Sequence, residues 1–259
     1  MELAVVVPTY NERENIKVLV EELLHLGLDL KIIIVDDNSP DGTGKVADEL
    51  SLKHKEVCVI HRSSRGRGSA GIAGFKYALR LDADYILEMD ADLSHSPQEI
   101  PSFLKAIKET EDRGQKTEGR RVSECQSVRV STEDQGYDLI IGSRYLEGGR
   151  EVGRSGLRRL ISLLANSYIR LILGLKIKDC TSGFRLFRKE ALQSLDLEAM
   201  KSKGPAIVIE TLDKAFRKGY KIREIPITYV ERKRGGSTLS VKILLETLFM
   251  VGRLKIEPH

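Results

Sequence analysis

The chain has 259 residues, enough for one large α/β domain that buries a core without disulfide or metal staples. Its 41% apolar and 31% charged residues are ordinary for a globular protein, and a formal charge of +4 is too small to announce a nucleic-acid binder. Cys58, Cys125 and Cys180 form an odd set without C-x-x-C spacing, which argues against a disulfide framework or a zinc site and favours a reducing compartment.

Residues 2–8 read as a strand, with no basic leader or cleavage pattern that would mark a signal peptide. Ile16, Leu19, Val20, Leu23 and Leu24 then mark one face of a helix. A strand at 31–36 precedes a helix at 43–53, and a strand at 56–61 precedes a helix at 70–81. A fourth strand at 84–89 precedes a helix that opens on Pro97 and ends near Lys108. Near-continuous apolar strands, each followed by a helix, predict an α/β fold with a mostly parallel sheet and helices on both faces. Residues 110–136 break the pattern as a charged, aperiodic, flexible insertion within a single 1–259 domain. Regularity resumes with a strand at 137–142, a long helix at 156–173, a helix at 206–218 and a strand at 221–229. An amphipathic helix at 240–253 closes the chain. No stretch reaches the ~20 apolar residues of a membrane span. The nearest, 157–175, is interrupted by Arg158, Arg159, Asn166 and Arg170.

Ligands of an open parallel sheet bind beyond the carboxyl ends of its strands, and the polar clusters lie there. The first strand runs into Pro8-Thr-Tyr-Asn-Glu12, the second into Asp36-Asp-Asn-Ser-Pro-Asp41-Gly, and the fourth into Asp90-Ala-Asp92-Leu-Ser-His95. By itself 8–14 is a helix start, with Asn11 as N-cap and Glu14 closing a capping box. Residues 36–42 are rich in turn formers, yet a turn does not require two adjacent carboxylates where an apolar strand emerges. Asp90 and Asp92, two apart in extended backbone, point the same way. Like charges that close repel unless a cation sits between them. Hard oxygens of this kind suit Mg2+ or Mn2+ completed by substrate phosphates. A lone D-x-D is common by chance; its place beside two other polar strand ends favours a metal–diphosphate site.

Arg65-Gly-Arg-Gly-Ser-Ala-Gly71 opens the helix after the third strand, where glycines and a helix N-terminus suit a phosphate. It is neither a P-loop nor a flanked G-x-G-x-x-G. The second half carries arginines: Arg144 after a strand, Arg158 and Ser162 at i, i+4 on one helical face, and Arg232 in Arg-Lys-Arg-Gly-Gly-Ser. Arginine pairs bidentately with phosphate, although Arg158 or Arg232 taken singly also reads as a solvated basic face. The 156–173 helix has a broader apolar face than one core stripe needs, so part of it could face lipid.

In order, VVPTYNE, IIIVDDNSPDGT, GSAGIAGFKYAL, ADYILEMDADLSHSP, DLIIGSRY, RRLISLLAN, DCTSGFRLF and PITYVERKRGGS resemble the dolichol-phosphate (polyprenol-phosphate) mannose synthases of glycosyltransferase family 2. The resemblance implies a GT-A fold and an inverting transfer of mannose from GDP-mannose to dolichyl or polyprenyl phosphate. By the same resemblance, Pro8, Tyr10, Glu12, Val35 and Asp37 hold the nucleotide, and Asp90, Ala91 and Asp92 meet Mg2+ or Mn2+ and the donor diphosphate. Arg144, Arg158, Ser162 and Arg232 bind the acceptor phosphate, with Asp92, Arg144 and Arg158 carrying catalysis. It also implies a peripheral enzyme on the cytoplasmic face of a membrane, with its own surface or a small anchoring subunit as partner. Asp179 is the one spare carboxylate, read as a positioning group in its turn rather than a base. Three features depart from the pattern: the length of 110–136, Arg67 where Leu is usual, and Thr238 where a Lys often follows the serine. Two other functions compete: a transferase using UDP-glucose or another donor on the same lipid, which residue types leave open, and a non-catalytic nucleotide-sugar-binding protein, which the intact D-x-D and the arginines disfavour. Nucleic acid is disfavoured as a partner by aromatics at 5% and no tryptophan.

Overall fold

The structure is a computed structural model that describes residues 2–109, 136–202, 204–231 and 241–256. Its first half alternates β1 (Leu3–Thr9), α1 (Arg13–His25), β2 (Leu30–Asp36), α2 (Thr43–Lys53), β3 (Val57–His61), α3 (Arg67–Ala78) and β4 (Tyr85–Glu88). A 3-10 turn at Pro97–Glu99 leads into α4 (Ile100–Lys108). The second half holds β5 (Leu139–Ser143), β6 (Arg150–Val152), α5 (Gly156–Leu173), β7 (Arg185–Arg188), α6 (Lys189–Ser194), α7 (Ile207–Arg217), β8 (Ile222–Pro226), β9 (Thr228–Val230) and α8 (Val241–Ile256).

Seven strands form one sheet in the order β3-β2-β1-β4-β7-β5-β8, while β6 and β9 pair as a separate parallel ribbon. Within the large sheet only β7 runs antiparallel to its neighbours. The mostly parallel sheet is thus as expected, and both faces are covered. Alternate residues of β1 and β2 enter opposite cores: Val5, Val7, Ile32 and Ile34 pack with Ile16, Leu19 and Leu23 of α1. Val6, Ile33 and Val35 pack with Phe75 and Ala78 of α3 and Leu212 of α7 on the other side. Each buried Val, Ile or Phe contributes roughly 1.5–3 kcal/mol.

Several local expectations change. The single strand at 221–229 is two strands in different sheets: β8 pairs with β5 as far as Pro226, and β9 pairs with β6. Residues 67–69 join α3, which begins earlier than periodicity suggested. The capping box at Asn11 and Glu14 does not form; the amides of Asn11, Glu12 and Arg13 donate instead to Ser39 Oγ, Thr43 Oγ1 and Asp41 Oδ2. Helix α1 is therefore capped by a loop about 28 residues away in sequence. Strands β6 and β7 and helix α6 were not anticipated. Residues 110–135, Cys125, Arg232 and Thr238 lie outside the described residues.

Helix α3 approaches β1 through Gly74, where a Cβ would stand 2.3 Å from Val6 Cγ1 and 3.1 Å from Val35 Cγ2. Gly74→Ala is expected to destabilise the protein by about 1–3 kcal/mol in urea denaturation. Gly252→Ala in α8, where a Cβ meets nothing within 4 Å, is expected to be neutral or stabilising by up to ~1 kcal/mol.

Candidate active site

Asp36 and Asp37 leave β2 on opposite sides and serve different loops. Asp36 accepts from the Ser39 amide at 3.1 Å and the Ser39 hydroxyl at 2.5 Å, closing its own turn. Asp37, 4% exposed, accepts from Arg62 Nη1 at 2.6 Å and from the Gly66 amide at 2.7 Å. Burial pushes the Asp37 carboxyl above its ordinary range, against the pull of the Gly66 amide and Arg62. Pro8 and Val35 are buried register partners of β1 and β2 immediately behind this edge. Tyr10 lies beyond β1 with the Arg65 guanidinium 3.7 Å from its ring centre. Glu12 accepts from Asn15 Nδ2 at 2.7 Å at the start of α1. All five expected nucleotide residues thus border the β1 and β2 ends, which Arg65 and Arg62 approach from the α3 side.

Glu88, the last residue of β4, and Asp90 and Asp92 beyond it alternate along the chain, with Ala91 buried between the aspartates. Arg67 bridges the first two, with Nη1 2.6 Å from Glu88 Oε1 and Nη2 2.8 Å from Asp90 Oδ1. Leu93 then takes φ +59°, a left-handed conformation that costs a leucine roughly 1–2 kcal/mol. The Ser94 amide donates to Asp92 Oδ1 at 3.1 Å. Ser94 Oγ is buried with no hydrogen-bond partner among the described residues, an oxygen left over beside the aspartate pair. These oxygens fit a hard divalent cation. Among the described residues no group of three or more acidic, His or Cys side chains could hold a metal, so a diphosphate and water would complete the shell.

His95 is buried, stacked on Phe184 at 5.0 Å and edge-on to Tyr229 at 5.6 Å. Burial pulls its pKa down, overriding Asp90 and Asp92, so the ring packs as a neutral group. Tyr229 joins the two halves of the site: Arg144 and Arg154 lie 5.4 and 5.8 Å from its ring centre. Burial raises the Tyr229 hydroxyl pKa, with Asp92 and Asp90 adding to the shift and Arg144 and Arg154 opposing it.

Arg144, Arg154, Arg158 and Arg159 each face a carboxylate. Arg144 forks onto Asp179, Nε to Oδ2 at 2.7 Å and Nη2 to Oδ1 at 2.8 Å, and its amide also donates to Oδ2. Burial works against the fully buried Asp179 carboxylate, but Arg144 outweighs it and holds the pKa below the usual range. Asp179 thus holds both the side chain and the amide of Arg144. Arg158 pairs with Glu231, and Ser162 accepts from Arg154 Nη2 at 2.7 Å. Glu151 collects Arg154, with Arg159 at 3.7 Å and Arg144 at 3.8 Å. Arg144, Arg158 and Ser162 thus come together, while Arg232 lies outside the described residues. Sequence reasoning missed Arg62, Arg67, Glu88, Glu151 and Arg154 as parts of the site. Glu88 carried a usable signal: an acid inside a buried strand needs a cation nearby.

A family model described as glycosyl transferase family 2 matches residues 4–122. The chain is 39% identical to the polyprenol monophosphomannose synthase of Mycolicibacterium smegmatis, covering 95% of this chain and 84% of that protein. It is 35% identical to the undecaprenyl-phosphate mannosyltransferase of Micrococcus luteus, covering 98% and 93%. It is 36% identical to the dolichol-phosphate mannosyltransferase of Pyrococcus furiosus, covering 98% and 64%. In three dimensions it superposes on glucosyl-3-phosphoglycerate synthase from Mycobacterium tuberculosis, solved with Mn2+, UDP-glucose and phosphoglyceric acid, at a TM-score of 0.64. That alignment covers 98% of this chain and 78% of the other. At 16% identity this likeness shows the fold, and the GT-A arrangement is as expected.

Asp179→Asn is expected to cost about 3–5 kcal/mol in urea denaturation at pH 7, because Arg144 keeps a buried charge without its partner. A depressed folded pKa stabilises above the unfolded carboxyl value near 3.9, and the gain fades as pH falls through the folded value. The gap between wild type and variant should therefore hold from pH 8 to 5 and narrow below about pH 4.

Proposed function

The chain belongs to glycosyltransferase family 2, among the polyprenyl-phosphate mannose synthases, and on that premise we propose that it transfers mannose from GDP-mannose to a polyprenyl or dolichyl phosphate. The observation that carries this is Tyr229, which packs on His95 of the loop that follows the D-x-D pair and has Arg144 and Arg154 beside its ring. The donor lies over the β1, β2 and β4 ends, with its nucleotide against Tyr10 and Asp37. Its diphosphate lies beside Asp90 and Asp92, the residues that would hold Mg2+ or Mn2+. When bound, such a cation neutralises negative charge developing on the departing diphosphate.

Arg144 and Arg158 orient the acceptor phosphate, and Ser162 offers a hydroxyl on the same face. A phosphate oxygen forms the new bond to the anomeric carbon while the bond to the diphosphate breaks, which inverts the configuration. The two arginines act differently. Arg144 is locked to a buried carboxylate, while Arg158 and its partner Glu231 are 40% and 21% exposed, so a phosphate can replace that carboxylate. The lipid chain leaves along α5, where Leu157, Leu160, Leu164 and Leu171 are exposed among Arg158, Arg159 and Arg170. Among the described residues no helix is long and apolar enough to cross a membrane. We place this α5 face against the cytoplasmic leaflet, directly or beside a small anchoring subunit. The free Cys58 and Cys180 suit a reducing compartment.

Transfer of radiolabelled sugar to dolichyl phosphate, with and without EDTA, tests the proposal. Label should enter the lipid phase from GDP-mannose and not from UDP-glucose, and EDTA should abolish it; label from UDP-glucose alone would replace the donor. Asp92→Asn is expected to lower kcat by about 10²-fold or more. Arg158→Ala should chiefly raise the KM for the lipid phosphate, on the order of tenfold, the value of one charge-assisted hydrogen bond. An unchanged kcat in Asp92→Asn would remove the D-x-D from the mechanism.

A further inference from the structure

Arg67, the first residue of α3, engages two carboxylates of the β4 end at once. Nη1 contacts Glu88, whose side chain is 4% exposed, and Nη2 contacts Asp90 Oδ1. Two glycines make room for the cluster. A Cβ on Gly71 would stand 2.6 Å from Glu88 Oε1, and a Cβ on Gly183 would stand 2.9 Å from Arg67 Nη2. The guanidinium is thereby held between α3 and the 179–184 loop, with a quarter of its side chain exposed.

A guanidinium stays charged in proteins, and here Glu88 and Asp90 reinforce that charge against burial. One oxygen of Asp90 is taken by Arg67. A divalent cation approaching Asp90 and Asp92 therefore meets a positive charge already seated on the first of them, and like charges at such range oppose each other. We propose that Arg67 is a positioning residue for the metal site. It fixes the orientation of Asp90 and keeps divalent-cation affinity low until a nucleoside diphosphate supplies compensating charge. The diphosphate attracts both the cation and Arg67, so cation and nucleotide bind with positive coupling. The proposal rests on the donor assignment made above.

The test is Mn2+ binding to the full chain, read from the electron paramagnetic resonance of free Mn2+, without nucleotide and with GDP or UDP. R67Q is expected to bind Mn2+ on the order of tenfold more tightly than wild type without nucleotide, about one tenfold step in the equilibrium constant. GDP should then improve its Mn2+ affinity by a smaller factor than in wild type. R67K, which keeps the charge, should stay within about threefold of wild type, as a repulsion set by charge requires. A folded R67Q with unchanged or weaker nucleotide-free Mn2+ affinity overturns the proposal, because a merely structural arginine would shift Tm and leave the metal affinity alone. If R67Q does not fold, R67Q/E88Q carries the same test. Glu88 lies two residues, roughly 6.6 Å of strand, behind Asp90, so losing both should still tighten Mn2+ binding, and no tightening overturns the proposal. A wild-type chain whose Mn2+ affinity ignores both GDP and UDP overturns the donor assignment and the coupling. Competition at Asp90 is judged on the nucleotide-free values alone.

Discussion

Carboxylates that emerge from buried parallel strands must find cations or donors, and this constraint organises the carboxyl edge of the sheet. A carboxylate stripped of water without a partner costs several kcal/mol, more than most single contacts return. Some acids at the edge close their own turns, as Asp36 and Asp92 do, and others are met by a neighbouring loop. Ser39, Asp41 and Thr43 receive the amides of residues 11–13, and Asp37 receives Arg62 and the Gly66 amide. Glu88 and Asp90 receive Arg67, and Arg65 returns to Tyr10 beyond β1. These polar contacts link the loops at the carboxyl edge to one another, beside the apolar anchoring that Met89 and Ala91 give the loop after β4.

The same constraint acts in the second half with the signs exchanged. A cluster of arginines repels itself unless acids are interleaved, and Asp179, Glu151 and Glu231 are interleaved there. Exposure separates their consequences. The Arg144–Asp179 fork is shielded from water on both sides and behaves as a fixed part of the scaffold. The Arg158–Glu231 pair sits near solvent, where an ion pair contributes only ~0–1 kcal/mol. A phosphate dianion competes easily with a carboxylate held that weakly. Fixed and exchangeable arginines side by side give a site that is preorganised yet open to an anion.

Much of this was legible in the sequence where the signal is periodic or local. The four β-α units of the first half follow from apolar runs and helical spacing, and α5 begins and ends where its pattern predicts. The loops after β1, β2 and β4 were singled out because polar residues at the ends of apolar strands have few other uses, and they do lie together at the carboxyl edge of the sheet. Strand β7 was invisible: Arg-Leu-Phe-Arg offers four residues, and its antiparallel pairing with β4 and β5 is a long-range fact. Its Arg185 is wholly buried because it donates to the carbonyls of Cys180, Ser182 and Val208, which no spacing rule reports. The cap of α1 was misassigned for the same reason, since Asn11 and Glu14 look self-sufficient until the 36–43 loop is folded over them. Arg67 read as a departure from a glycine-rich pattern; its meaning appeared only when α3 brought it against Glu88 and Asp90.

The proton inventory of the site bears on the acceptor. An alcohol acceptor needs a base within hydrogen-bond reach of its proton, and the obvious candidates are committed elsewhere. Asp179 is fully buried beneath Arg144, and its depressed pKa makes it a poor proton acceptor. His95 is sandwiched between Phe184 and Tyr229 and is buried, so it offers the reacting atoms no exposed nitrogen. A phosphate monoester, with a second pKa of roughly 6, arrives already deprotonated at neutral pH. What it requires is cations that align it and tolerate its charge, which the proposed pair, the fixed Arg144 and the exchangeable Arg158, would supply. The arrangement of charges therefore suits an acceptor that brings its own nucleophilic oxygen, and it is built from residues that compensate one another's charges where water is excluded.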